Sequence, residues 1–331
     1  MTTTVARLRR GTAGSVAQEA GDPRRQLILV LMCLCVTLLI GMAAAINLAV
    51  PKLAASGLRP SATGLLWIVD VYVLVFASLL IPLGSLGDRL GRKGTLVIGL
   101  VIFGVGCGLS ALAPSVAVML AGRALTGIGA AFALPSTLAL VVNVFPAPER
   151  PGAIAVWSAS TAMGGVLGGT GGGLVLQLLP WQGLFVGFLG LAAVLAVAVA
   201  VAAPETARHD HAQDPLGAVL LTLTLLALVY AIIEGPEQGW ASATVIGSFA
   251  AAAVVLGAFA AWEAHSKQPM LDPRIFRAPA VRAGALGIVV LFFGMFGLFL
   301  MNSEFLQYAK GFGPALAGVG SLPLALPMYL A

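Results

Sequence analysis

The sequence predicts an all-α membrane protein, and three observations carry that prediction. Of the 331 residues, 59% are hydrophobic and the mean hydropathy is +1.01, whereas soluble domains are about 45–50% apolar. Only 9% of residues are charged, and the charges fall between long apolar runs with room for the roughly 20 residues that a membrane-crossing helix needs. The basic residues are also unevenly shared between alternate loops, as the positive-inside rule requires.

The elements follow in order. Residues 1–25 carry Arg7, Arg9, Arg10, Arg24 and Arg25 among small polar residues and read as a disordered cytoplasmic tail. The apolar run after them is about 25 residues, longer than the core of a cleavable signal peptide. Spans are expected at 26–50, 63–84, 95–113, 115–144, 152–178 and 182–203, so 26–203 forms a six-span bundle. Residues 204–213 are a polar cytoplasmic linker, and 214–262 hold two further spans, at 214–234 and 241–262. Residues 263–282 form a second cytoplasmic loop with a surface helix, and 283–331 begin a second bundle with spans at 283–306 and 314–331. The last of these contains Pro323 and Pro327 and reads as cut short. With the amino terminus inside, only Lys52, Arg59 and Lys310 of the 18 basic residues lie outside, and Arg123 lies within a span. The other fourteen are inside, which predicts a multi-pass protein of the cell membrane with a cytoplasmic amino terminus.

The net charge of +5 reflects this topology and predicts no nucleic-acid partner. Cys33, Cys35 and Cys107 all sit in apolar runs and read as packing residues, because a lone C-x-C with no second pair is not a metal or disulfide pattern. His209 and His211 flank Asp210 in the linker and read as solvated residues; no metal is expected. G-x-S-x-G, H-E-x-x-H and G-x-x-x-x-G-K-[ST] are absent, and no nucleophile–base pair stands out, so the chain reads as a non-enzyme without a cofactor. Any uphill transport draws on an ion gradient.

Three segments carry the functional reading. Residues 84–94 read G-S-L-G-D-R-L-G-R-K-G. Four charges (Asp88, Arg89, Arg92 and Lys93) stand in six residues, with Gly84 and Gly91 allowing a tight turn between two spans. Charge is expensive in hydrocarbon, so the cluster belongs in a short cytoplasmic loop. Asp70 and Arg123 are the only ionisable residues well inside spans. Each lies roughly 11–12 Å below the outer end of its span at 1.5 Å rise per residue. Opposite charges at one depth on two helices face a common cavity or pair structurally. Burial and a neighbouring guanidinium act on a carboxyl group in opposite senses, and the balance is expected to poise Asp70 to take and release a proton, or to bind a cationic substrate. Residues 164–173 place Gly164, Gly168 and Gly172 on one helix stripe and Gly165, Gly169 and Gly173 on the next. Such stripes allow close helix approach in lipid and an easily bent backbone.

Together these motifs resemble the fourteen-span drug–proton antiporter branch of the major facilitator superfamily. W-I-V-D-V-Y from Trp67 is similar to that branch's second span, and A-G-R-A-L-T-G-I-G-A-A at 121–131 to its fourth-span motif. The 84–94 loop matches the superfamily's signature loop, the glycine stripes the fifth-span antiporter motif, and Y-A-I-I-E-G-P-E-Q-G-W, ending at Trp240, the outer loop after span seven. The resemblance covers about residues 27–331. It implies a major facilitator type helix bundle with about 10 of an expected 14 spans present. It also implies proton-coupled efflux of lipophilic or cationic drugs or metabolites by alternating access, with the proton gradient as energy source. In that reading Asp70 and Arg123 carry coupling, 84–94 forms the gate, and Met42, Asn47, Trp157 and Thr161 line the cavity. The partners are protons, a small-molecule substrate, the bilayer, and a carboxy-terminal bundle or another chain. Met42 stands where relatives often carry an acid, Gly169 where they carry proline, and Gln182 where an arginine commonly follows the tryptophan. The alternatives are an inactive or partner-dependent membrane fragment of such a transporter, and a facilitator or importer of the same superfamily.

Overall fold

A computed structural model describes residues 22–206, 214–266, 273–313, 316 and 320. Among them the chain is helical throughout, without strands. The helices are α1 (Arg25–Ala54), α2 (Ala62–Leu90), α3 (Arg92–Ala111), α4 (Val116–Val144), α5 (Arg150–Leu178), α6 (Trp181–Ala202), α7 (Pro215–Gln238), α8 (Ala243–His265) and α9 (Pro279–Glu304). Seven of them (α1–α4 and α6–α8) are long and apolar enough to cross a membrane.

Local sequence explains where the helices start. Ser61, Ser115, Asp214 and Ser242 each accept a hydrogen bond from the backbone N–H three residues on, which satisfies one of the amides a helix leaves orphaned at its start. Pro215 follows Asp214 at the first helical position, where its missing N–H is harmless.

Several expected boundaries are corrected. The 84–94 segment is not an open loop. Helix α2 runs to Leu90 and α3 starts at Arg92, so the turn is Gly91 alone. Its φ of +98° and ψ of +130° are closed to side-chain-bearing residues. The stretch expected as an outer loop after span seven is largely helix, because α7 continues to Gln238 through Pro236. The Gln238 side chain donates to the Glu234 carboxylate at 2.8 Å and staples that last turn. Gly239, at φ +85°, ends it. In 263–282, the expected surface helix is a short 3₁₀ turn at Pro273–Arg277, and α9 starts at Pro279 rather than 283. A π-helical turn, Phe305–Ala309, follows α9. Arg25, placed in the tail, is the first residue of α1. Residues 1–21 of that tail, the His209–Asp210–His211 triplet and most of 314–331 lie outside the described residues.

Helix α4 is the hub. It packs along α3 and α2, while α1 packs along α5, α3 along α6, and α7 pairs with α8 and touches α2. Leu39, Met42, Ile46, Phe103, Leu140 and Phe185 fill the centre with no exposure. The α3–α4 seam is tightly packed along its length. A Cβ at Gly99 would lie 2.7 Å from the Gly129 carbonyl oxygen, one at Gly106 2.6 Å from the Thr126 nitrogen, and one at Gly129 2.4 Å from the Phe103 nitrogen. Gly99 and Gly106 are seven residues apart, as are Gly122 and Gly129, so they present bare backbone two turns apart on facing helices. Lipid gives helices no hydrophobic drive to associate, and close backbone contact of this kind takes its place.

Candidate functional site

Asp70 and Arg123 come to the same level because each lies about two turns from the start of its helix, α2 at Ala62 and α4 at Val116. Arg123 is fully buried. Its Nε donates to the Ile68 carbonyl at 2.9 Å and its Nη2 to the Val69 carbonyl at 3.2 Å. The guanidinium carbon stands 4.8 Å above the centre of the Tyr72 ring, a cation–π geometry. Nη1 is buried without a hydrogen-bond partner among the described residues. The arginine therefore grips the backbone of α2 beside Asp70 and not the carboxylate. Among the described residues Asp70, half-buried, forms no ion pair and no hydrogen bond.

Tyr72 completes this joint, and the sequence reading did not single it out. Its ring is buried, stacked on Phe76 at 6.1 Å and edge-on to Phe103 at 6.4 Å. Its hydroxyl donates to the Leu39 carbonyl of α1 at 2.8 Å. Gly127 lets α2 approach, since a Cβ there would lie 2.7 Å from the Tyr72 carbonyl oxygen. One tyrosine and one arginine thus tie α1, α2 and α4 at the depth of Asp70. The available signal was the tyrosine two residues after a membrane aspartate, in the segment W-I-V-D-V-Y.

The gate residues split into a clamp and a spectator. Arg92 forms an ion pair with Asp88 and donates from Nη1 to the Gly84 carbonyl at 3.1 Å. The first residue of α3 thereby holds the last two turns of α2. A Cβ at Gly87 would lie 3.2 Å from Arg92 Nη1, so this glycine leaves the guanidinium its channel. Two residues beyond α6, unanticipated in the sequence, join the clamp: Thr206 Oγ1 accepts from the Arg92 backbone N–H at 2.8 Å, and Glu205 pairs with Lys93 at 3.4 Å. Arg89 is exposed and makes no hydrogen bond or ion pair among the described residues. Gly91→Ala is expected to cost about 1–3 kcal/mol, the range for a side chain forced into a sparsely allowed backbone region. Thermal unfolding in detergent micelles, with Gly94→Ala as the control in open space, checks it.

The two glycine stripes of α5 separate. Gly164, Gly168 and Gly172 meet α1 at Thr37, Ile40, Gly41 and Ala45, while Gly165 and Gly169 face open space and Gly173 is buried. Gly41 is the α1 counterpart that the sequence reading missed. Of the candidate cavity residues, Met42 is fully buried in the core. Asn47 donates to its own helix at Ala43 (3.0 Å), and Trp157 Nε1 donates to Thr137 Oγ1 at 3.0 Å, joining α5 to α4. The Thr161 hydroxyl donates to the Trp157 carbonyl. No group of three or more metal-ligating side chains occurs among the described residues.

The family model of the Major Facilitator Superfamily matches residues 32–331. The chain is 37% identical over 281 residues to the multidrug efflux pump LfrA of Mycolicibacterium smegmatis, covering 84% of this chain and 56% of the pump. It is 34% identical over 283 residues to the multidrug resistance protein Stp of Mycobacterium tuberculosis, covering 85% of this chain and 52% of Stp. It therefore spans about half the length of the curated relatives it matches. A crystal structure of a POT family transporter in complex with a thioalcohol-conjugated peptide shares the fold, with a TM-score of 0.59 at 16% identity over 92% of this chain and 68% of that one.

Proposed function

The chain belongs to the Major Facilitator Superfamily, and from that premise we propose that it serves proton-coupled export of lipophilic, often cationic compounds by alternating access. It is a multi-pass membrane protein; we place it in the cytoplasmic membrane with its amino terminus inside. Both relatives described above are named for multidrug efflux or resistance, which supports the substrate class. The absence of an ATP-binding motif from the sequence supports an ion gradient as the energy source.

One observation carries the reading. The buried guanidinium of Arg123 is committed to two carbonyls of α2, and this leaves the neighbouring Asp70 carboxylate half-buried without an ion-pair partner among the described residues. An intramembrane carboxylate in that state is suited to exchange a proton for a cation. Arg123 acts as its positioning residue, fixing the register of α2 and placing a positive charge nearby. The clamp of Arg92 on Asp88 and Gly84 ties the opposite end of α2 to α3, so α2 is held at both ends, by α4 at one and by α3 at the other.

The test is efflux of a fluorescent lipophilic cation from vesicles containing this chain under an imposed proton gradient. Efflux is expected to collapse with a protonophore and with Asp70→Asn, the latter by at least about a hundredfold, which is the lower end of the range for losing a proton-transfer group. Unchanged gradient-driven efflux in Asp70→Asn sinks the assignment of coupling to Asp70. Absent efflux from a folded, inserted chain sinks the assignment of transport to this chain alone.

A further inference from the structure

Helix α7 docks on α2 through a Thr222 Oγ1–Ser78 carbonyl hydrogen bond at 3.4 Å and through a second polar contact at the end of the bundle remote from the Gly91 turn. Trp67 Nε1 donates to Glu234 Oε1 at 2.9 Å, across α2 and α7. The Trp67 and Tyr230 rings lie with centroids 6.0 Å apart and planes tilted by 42°, so they diverge as an open V and do not stack. Tyr230 and Glu234 are one turn apart on α7, which puts the carboxylate at the edge of that V. A third ring is close by. Trp240 folds back over Gly235, where a Cβ would lie 2.6 Å from its Cζ3. Trp67, Tyr230 and Glu234 are all partly exposed. Among the described residues no basic side chain pairs with Glu234; its two oxygens accept only from neutral donors, the Trp67 indole and the Gln238 amide.

We propose that Trp67, Tyr230 and Glu234 form a binding site for a lipophilic organic cation, in the cleft between α2 and α7. Held by neutral donors, the Glu234 carboxylate has no counter-charge in contact among the described residues, and each oxygen has a lone pair beyond the one that accepts these bonds. Aromatic faces at its edge add the quadrupole attraction that recognises alkylated or arylated ammonium and phosphonium groups. An inter-helix staple alone requires an acceptor for the indole N–H but not a net charge, and an amide would serve it equally well. Asp70 lies three residues further along α2 from Trp67, on the adjoining surface of the helix. The site is separate from Asp70 and rests on the reading that this chain handles lipophilic cations.

The test is equilibrium binding of radiolabelled tetraphenylphosphonium to the whole chain in nanodiscs, with triphenylphosphine oxide as a neutral probe of similar shape. Glu234→Gln keeps an acceptor for Trp67 Nε1–H and removes only the charge. It is expected to weaken phosphonium binding about tenfold, leaving the neutral probe and the thermal unfolding midpoint unchanged. Tyr230→Leu is expected to weaken it severalfold in the same selective way. Undiminished phosphonium binding in Glu234→Gln overturns the site, as does an equal loss for the neutral probe, which marks a structural staple only. Binding that depends on Asp70 but not on Glu234 also overturns it. Glu234-dependent binding without efflux by the native chain keeps the site and defeats the transport reading instead.

Discussion

Gly168→Ala is expected to separate α1 from α5 and to lose about 3 kcal/mol of stability or more, the upper part of the usual range for overpacking. A Cβ at Gly168 would stand 2.2 Å from the Gly41 carbonyl oxygen and 2.3 Å from its Cα. Both are backbone atoms, so no side chain can rotate away, and one helix has to move. Gly169→Ala, one residue on, meets open space. It should be neutral or slightly stabilising, since alanine is favoured over glycine in a helix interior by about 1 kcal/mol. Unfolding of both variants in detergent micelles or bicelles decides the matter. Equal loss at both positions would mean that α5 depends on glycine for bending and not for its contact with α1. A large loss at Gly168 alone locates the requirement in the α1–α5 seam.

The second large effect is at Arg123, and stability and activity should part there. Its guanidinium is fully buried, satisfied at two nitrogens by helix carbonyls, and orphaned at Nη1. A charge buried without a carboxylate in contact is expensive to keep. Arg123→Met is therefore expected to leave the unfolding midpoint unchanged or raise it, while gradient-driven efflux falls by up to about a hundredfold, the cost of misplacing a reacting group by about 1 Å. Arg123→Lys keeps the charge but lacks the planar fork that reaches the Ile68 and Val69 carbonyls from separate nitrogens and lies flat on Tyr72, so it should be almost as inactive. Efflux at the native level in Arg123→Lys would show that charge alone suffices and that the grip on α2 is incidental. Strong destabilisation in Arg123→Met would show instead that the arginine is a structural pin of the bundle.

How far the sequence carried depended on the kind of signal. The helices announced themselves through apolar runs, and their starts through serine and aspartate caps. The boundary errors arose where a polar or glycine-rich segment stayed helical. At 84–94 the charges belong to helix ends, and their side chains bond across the single-residue turn. At 235–238 an i,i+4 hydrogen bond carries the helix past a proline. Asp70 and Arg123 were visible as charges in apolar surroundings. What Arg123 touches was not, because a guanidinium donates as readily to a carbonyl as to a carboxylate, and carbonyls leave no mark in a sequence.

The sequence by itself determined the class of protein, the helices, the level of the two membrane charges, and the spacing that lets glycine stripes form. These follow from hydropathy, charge cost and the 1.5 Å rise per residue, all local properties of the chain. Only the tertiary structure decided which stripe of α5 is packed and which faces open space, that Tyr72 and not Asp70 lies under the Arg123 guanidinium, that Glu205 and Thr206 close the clamp, and that Glu234 meets Trp67. Those pairings join residues 51 to 167 positions apart. They are set by which helix faces dock, and in lipid that choice rests on close packing and a few hydrogen bonds spread over several helices at once.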